Sequence, residues 1–140
     1  MLRVVLDTNV YVSAFVFGGP PLEILRLGVR GYVAVFVSAP ILEELQTVLR
    51  RKFEWPTSDL REVLDAIDAL GSLARPREAL AVVKDDEPDN RILECAVEAE
   101  AHVIISGDRH LRTLGAYRRI AIMSPREFLD AHSAGVFSAL

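Results

Sequence analysis

The sequence is poor in three features, and each absence excludes a class of protein. Cys95 is its one cysteine in 140 residues, so an intrachain disulfide is excluded and a reducing, cytoplasmic setting is expected. No run approaches the roughly 20 apolar residues that span a bilayer, and the N-terminal apolar stretch lacks the leading basic region of a signal peptide, so no membrane association is expected. The net charge is −4, so the protein cannot bind a polyanion such as a nucleic acid through an overall positive charge.

The overall composition is that of a globular protein. Hydrophobic residues make up 51% of the chain and charged residues 26%, which is too apolar for a disordered polypeptide. We see no internal repeat, low-complexity tract or dividing linker. A length of 140 residues suits one hydrophobic core, so a single domain over residues 1–140 is predicted, with a weakly patterned tail after His132.

Predicted strands and helices alternate along the chain. Apolar runs predict strands at 2–6, 33–37, 102–106 and 119–123, with a further short strand at 80–83. Apolar residues at helical spacing predict helices at 9–16, 21–30, 40–52, 59–70 and 89–100, and Ser124-Pro125-Arg126-Glu127 is a capping box that opens a last short helix. This alternation favours a parallel sheet covered by helices on both faces.

Acidic side chains recur where such a sheet would present them together. Asp7 follows one strand directly, and Asp108 follows another after Ser106-Gly107. Glu44 and Asp89 fall near the starts of predicted helices. Sites in α/β sheets form at the carboxyl ends of the strands, and carboxylates crowded there need a proton or a cation. Oxygen ligands suit Mg²⁺ or Mn²⁺, so a hard-metal site is the leading hypothesis.

Each acid also has a simpler explanation. Asp7 and Asp89 could each act only as a helix cap, and Glu44 could be a surface charge. Helical phase puts Glu44 at the border of the apolar stripe, whereas it puts Glu43 on the solvent face. Asp89 continues the buried stripe of its helix, and Asp86 is interpreted as a loop charge that could still approach the site.

Cationic side chains near Asp108 are the candidates for substrate contact. Arg109 and Arg112 follow this acid and could reach phosphates at the cleft. His102, His110 and His132 lack the spacing of metal ligands, so a surface or packing role is predicted for His110.

Taken in order, four segments resemble the PIN-domain nucleases over nearly the whole chain, from residue 3 to about 129. They are Asp7-Thr8-Asn9-Val10, Glu44-Leu45, Asp86-Glu87-Pro88-Asp89-Asn90-Arg91-Ile92-Leu93-Glu94-Cys95-Ala96 and Ser106-Gly107-Asp108-Arg109-His110-Leu111. The combined motif is specific, although none of its pieces is. The resemblance is strongest to the branch that comprises the toxins of toxin–antitoxin pairs.

The resemblance implies a three-layer α/β/α sandwich and an Mg²⁺- or Mn²⁺-dependent endoribonuclease with a cognate antitoxin. The implied catalytic and metal-binding residues are Asp7, Glu44, Asp89 and Asp108, with Asn9, Ser106, Thr8 and Asn90 in support. Ser106 stands where threonine is frequent, and His110 stands where an acid is frequent, which leaves a second metal position open. The apolar faces of the 21–30 and 59–70 helices could form a homodimer or complete the core.

Two other functions remain open from the residues alone. A strand-end aspartate with Mg²⁺ would suit a phosphoryl-transfer or receiver-like domain, although a receiver would need paired N-terminal acids and Asp7 stands alone there. A non-catalytic PIN-like module that binds RNA or a protein is the second alternative.

Overall fold

The computed structural model of the protein describes residues 1–83 and 86–140, and these residues form six strands and seven helices. The strands are β1 (Arg3–Leu6), β2 (Ala34–Val37), β3 (Ser72–Leu73), β4 (Val103–Ile105), β5 (Ala116–Tyr117) and β6 (Ile120–Met123). The helices are α1 (Thr8–Val16), α2 (Gly19–Val29), α3 (Ala39–Phe53), α4 (Thr57–Leu70), α5 (Glu87–Glu98), α6 (Arg109–Leu114) and α7 (Pro125–Ser133).

The strands form one sheet in the order β3-β2-β1-β4-β6-β5. All neighbours pair in parallel except the edge hairpin of β5 with β6, so the sheet is mostly, not entirely, parallel. Successive residues of a strand face opposite sides of the sheet. Val4, Val5 and Leu6 are nevertheless all fully buried, which requires helices on both sides. The predicted three-layer α/β/α fold is confirmed.

The order of the strands reverses between β1 and β4. The chain builds outward on one side of β1 through β2 to β3, and then returns across the sheet through α5 to place β4 on the other side of β1. At such a reversal the connections leave adjacent strands in opposite directions, and a crevice opens at their carboxyl ends. The residues that follow Leu6 and Ile105 therefore line a cleft created by the topology.

One predicted strand is wrong. The third strand is Ser72–Leu73, which pairs with β2, whereas residues 80–83 are irregular. The backbone N–H groups of Val82 and Val83 donate to the side chain of Asn90, at 2.9 and 2.8 Å, so they are bonded to α5 instead of a neighbouring strand. The short helix α6 and strand β5 were not predicted.

The apolar faces of α2 and α4 complete the core. Ile24 and Leu25 of α2 are buried, as are Leu60, Val63 and Ile67 of α4. Of the two alternatives for these faces, burial in the core is the one observed, and it leaves few exposed apolar side chains on the two helices. Val29, at the end of α2, is 75% exposed.

No single helix in residues 1–83 and 86–140 combines the length and apolar character needed to cross a membrane. Helices α1 and α2 meet that test of length and composition only as a pair, and the chain bends by 99° between them.

Candidate metal centre

A polar pocket lies at the carboxyl ends of β1 and β4, where the strand order reverses. Its volume is about 150 Å³, which is enough for an ion with several waters. It is lined by Asp7, Thr8, Asn9, Glu44, Asp86, Pro88, Asp89, Ile92 and Asp108. Four acids distant in sequence, the predicted set of Asp7, Glu44, Asp89 and Asp108, thus meet in one pocket, joined by Asp86.

Asp7 is buried and held at both carboxylate oxygens. Its backbone N–H donates to the carbonyl of Ile105 at 3.0 Å, which continues the pairing of β1 with β4. Its Oδ1 accepts from the N–H of Val10 at 2.9 Å, and its Oδ2 accepts from the hydroxyl of Ser106. Asp7 is therefore also the N-cap of α1, so the helix-cap explanation and a place in the pocket are both correct.

Burial raises the pKa of Asp7 from 3.8 to about 6. Hydrogen bonds from Ser106 and Val10 oppose this rise, and the nearby charge of Asp108 adds to it. Without a cation, the fold therefore favours the protonated form of this carboxyl over a broad acidic range.

Ser106 links two of the acids. Its side chain is fully buried at the end of β4, donates to Asp7 and accepts from the backbone N–H of Asp108 at 2.9 Å. Asp108 in turn caps α6 through its Oδ1, which accepts from the N–H groups of His110 and Leu111 at 2.7 and 3.3 Å. One hydroxyl thus fixes the spacing between the ends of β1 and β4.

Asp89 is an acid whose carboxylate the described part of the surrounding protein does not satisfy. It is 7% exposed on the first turn of α5, and its Oδ2 has no hydrogen-bond partner among the described residues. Burial, and then the charge of Asp108, raises the pKa of Asp89 from 3.8 to about 8. A buried carboxylate oxygen without a donor is costly, so this atom requires a proton or a cation.

Asp86 is the N-cap of α5, since its Oδ1 accepts from the N–H of Asp89 at 3.2 Å. Its Oδ2 lies 3.0 Å from Nδ1 of His110. Burial acts to raise the pKa of Asp86, but hydrogen bonds from His110 and Asp89 outweigh it and hold the pKa below its ordinary value. The interpretation of Asp86 as a loop charge was incomplete, because the residue lines the pocket.

Glu44 and the two residues after Asp7 form another wall of the pocket. Glu44 is half-buried and Glu43 exposed, as helical phase predicted. The hydroxyl of Thr8 donates to Oε2 of Glu44 at 3.2 Å and so steadies this carboxylate. Asn9 lines the pocket from an exposed position on α1.

Asn90 supports the site from outside the pocket. Besides accepting from Val82 and Val83, its amide donates to the carbonyls of Val83 and Asp86, at 2.9 and 3.1 Å. Four hydrogen bonds of this one side chain thus attach Val82, Val83 and Asp86 to the first turn of α5. The position of Asp86 depends on this clamp.

A second set of side-chain hydrogen bonds, which holds Leu80 against α5, was not predicted from the sequence. Glu94 is 8% exposed, accepts from the N–H of Leu80 at 2.8 Å and pairs with Arg91 at 2.7 Å. Arg91 also donates to the carbonyl of Leu80 at 3.2 Å. Helical spacing gave no signal for it, because Glu94 lies four residues after Asn90 on the side of α5 opposite its apolar stripe, where a surface charge is expected.

The two arginines proposed for substrate contact differ in their surroundings. Arg112 is paired with Glu127 at 3.1 Å, outside the pocket. Arg109 is exposed at the first position of α6, directly after Asp108. Arg109 therefore follows a pocket acid in the sequence without lining the pocket itself, whereas Arg112 pairs with Glu127.

His110 lies at the rim of the pocket. Its side chain is 63% exposed, as a surface role predicted, yet its Nδ1 lies 3.9 Å from both Asp89 Oδ2 and Asp108 Oδ1, in addition to its contact with Asp86. The expectation of a surface or packing role missed these contacts. They arise because the first turn of α6 follows Asp108.

The donors in this pocket fit a divalent cation. Carboxylate oxygens are the ligands that Mg²⁺ and Mn²⁺ prefer, and the unpartnered Oδ2 of Asp89 lies 3.9 Å from Nδ1 of His110 at the pocket rim. Asp86, Asp89, Asp108 and His110 offer donor atoms that lie within 4.8 Å of one another, whereas Asp7 and Glu44 line the same pocket outside that group.

Comparison with known proteins identifies the family. Residues 3–110 match the PIN domain. The chain belongs to the PIN domain family. It is 28% identical over 142 residues to an uncharacterised protein of Methanocaldococcus jannaschii, an alignment that covers 92% of this chain and 90% of that protein.

A solved structure shares the fold of this PIN domain. It is the crystal structure of VapBC2 from Rickettsia felis bound to a DNA fragment from their promoter, in which one chain superposes with a TM-score of 0.63. The superposition covers 86% of this chain and 97% of that chain, at 13% identity. At that identity the likeness extends to the fold alone.

The raised pKa values predict that the metal-free protein loses stability as pH rises. The folded protein accommodates Asp7 and Asp89 better when they are protonated. Their contribution to the free energy of unfolding is therefore complete below about pH 4. It is lost as pH rises through about 6 for Asp7 and about 8 for Asp89. At pH 8 in chelator, Asp89→Asn should raise the melting temperature by about 4 °C or more, equivalent to roughly 1 kcal/mol. Differential scanning calorimetry measures this shift. The exposed control Glu43→Gln should change it little, and an unchanged or lower value for Asp89→Asn would contradict the prediction.

The linking hydroxyl of Ser106 gives a second prediction. Ser106→Ala leaves Asp7 Oδ2 without its donor and the N–H of Asp108 without its acceptor, so Mn²⁺ affinity should fall by about 10- to 100-fold. Isothermal titration calorimetry measures the affinity. Ser106→Thr keeps the hydroxyl and should retain most of the binding; equal affinities for wild type and Ser106→Ala would show that the link is dispensable.

Proposed function

We propose that this PIN domain is a divalent-metal-dependent endoribonuclease that hydrolyses RNA phosphodiesters with Mg²⁺ or Mn²⁺. The observation that carries the proposal is the meeting of Asp7, Glu44, Asp89 and Asp108 in one pocket at the reversal of strand order. Family membership supports nuclease chemistry, and the resemblance to PIN toxins supports RNA as the substrate.

Each acid has a distinct part in this proposal. A bound Mg²⁺ or Mn²⁺ would polarise the scissile phosphate and lower the pKa of water. Asp7 and Asp108, spaced by Ser106, are suited to hold the ion. Asp89 Oδ2, which lacks a donor among the described residues, is suited to bind an ion or to orient the attacking water.

Glu44 and Arg109 complete the proposed site. Glu44, steadied by Thr8, is suited to orient water or to act as a further ligand. Because the net charge is −4 and Arg112 is paired with Glu127, phosphate binding depends on the metal and on the exposed Arg109.

We further propose that the chain is the toxin of a toxin–antitoxin pair, acts in the cytoplasm and forms a homodimer. The fold likeness to a chain of the VapBC2 complex supports a cognate antitoxin. The buried, unpaired thiol of Cys95 supports a reducing compartment. Because the faces of α2 and α4 are buried in the core, a dimer would use other surfaces.

The receiver-like alternative receives no support from the fold. Receiver domains have the strand order 2-1-3-4-5, whereas here β1 lies between β2 and β4, with β3 at the edge. Both oxygens of Asp7 also accept hydrogen bonds within the protein, which does not favour a free nucleophile. A non-catalytic PIN-like module remains as an outcome that the experiment can reveal.

Cleavage of total RNA tests the proposal directly. Wild-type protein with Mn²⁺ should give discrete fragments, and chelator should stop the cleavage. Asp7→Asn and Asp108→Asn should each lower the rate by at least about 100-fold, because they remove charge that stabilises the transition state through the ion.

Glu43→Gln is the matched control, since it removes an acid from the same chain one position from Glu44 but on the solvent face. It should cleave at the wild-type rate. Cleavage that persists unchanged in Asp7→Asn would refute the mechanism, and a wild type that binds RNA without cleaving it would identify the non-catalytic module.

A further inference from the structure

His110 presents an imidazole nitrogen to three acids. Its Nδ1 lies 3.0 Å from Asp86 Oδ2 and 3.9 Å from both Asp89 Oδ2 and Asp108 Oδ1. One donor atom from each of these four residues lies within 4.8 Å of the other three. This spacing is short enough for all four atoms to contact one ion of ordinary coordination geometry.

A second, independent observation indicates that this cluster takes a ligand. Asp89 is more than nine-tenths buried, and its Oδ2 faces the cluster without a hydrogen-bond partner in residues 1–83 and 86–140. The separation of 3.9 Å from His110 is too long for a hydrogen bond. A cation between the two groups would contact both.

We propose that His110 supplies a nitrogen ligand beside Asp86, Asp89 and Asp108, and that this mixed site makes the protein select first-row transition ions over Mg²⁺. Mg²⁺ takes oxygen ligands almost exclusively, whereas imidazole binds transition ions with affinity that rises from Mn²⁺ through Co²⁺ to Ni²⁺. This inference rests on the metal-dependent function proposed above and adds the choice of metal.

The local structure prepares His110 for this role. Its backbone N–H donates to Asp108 Oδ1 at 2.7 Å in the first turn of α6, and its side chain is 63% exposed. Nδ1 of the ring contacts Asp86 Oδ2 at 3.0 Å. The competing explanation is that His110 serves only as a hydrogen-bond partner of Asp86.

Pulsed electron paramagnetic resonance of the Mn²⁺-loaded protein separates these explanations, because it detects a ¹⁴N nucleus bound to the ion. Wild type should show imidazole nitrogen coupling, and His110→Ala should abolish it. His132→Ala is the control, since His132 packs against Phe128 on α7, and its spectrum should match that of wild type.

Calorimetric titration tests the selectivity. His110→Ala and His110→Asn should each weaken Mn²⁺ and Co²⁺ binding by about tenfold while changing Mg²⁺ binding less than about twofold. His110→Asn retains a donor toward Asp86 but lacks the imidazole, so wild-type selectivity in this variant would overturn the proposal. Circular dichroism confirms that each variant is folded.

The failures of the two proposals are distinguishable. Mn²⁺ binding without ¹⁴N coupling in wild type, or coupling that persists in His110→Ala, would overturn the role of His110 and leave the metal-dependent function intact. Absence of binding by any divalent ion at millimolar concentration would overturn both.

Discussion

Repulsion among carboxylates at the reversal of strand order is the constraint on which the rest of this structure depends. Asp7 and Asp89 are nearly buried and lie close to Asp108, so ionising all three without a counter-charge is costly. The pocket wall, as far as the structure describes it, contains no lysine or arginine. A proton satisfies the pocket at low pH, and a cation is the alternative at neutral pH. The site therefore carries a cost in stability that a bound cation would offset.

Much of the polar hydrogen bonding in the molecule holds this unfavourable arrangement in place. Ser106 spaces the ends of β1 and β4, and Thr8 steadies Glu44. Asn90 and Glu94, on buried positions of α5, bind the irregular segment that leads to the pocket. These side chains are buried because they satisfy backbone groups of a segment that has no strand partner. The scaffold thus converts residues distant in sequence into one preorganised site.

Sequence patterns predicted the strand-end acids and the layered fold because both depend on short-range signals, namely buried apolar runs followed by polar residues. Residues 80–83 were mistaken for a strand, since their backbone is bonded to Asn90 and Glu94 of α5, contacts that periodicity does not encode. His110 and Asp86 were undervalued because their roles depend on how α6 and α5 begin beside each other in space. Sequence therefore predicted which residues could form a site, but tertiary contacts decided which of them meet.

The central claim is that these carboxylates converge to hold a divalent ion. The most direct measurement is the anomalous difference density from crystals of the protein grown or soaked with Mn²⁺. The account predicts a strong peak inside the pocket, within bonding distance of oxygens from Asp7, Asp89 or Asp108. No peak there at saturating Mn²⁺, with the three carboxylates well ordered, would contradict it.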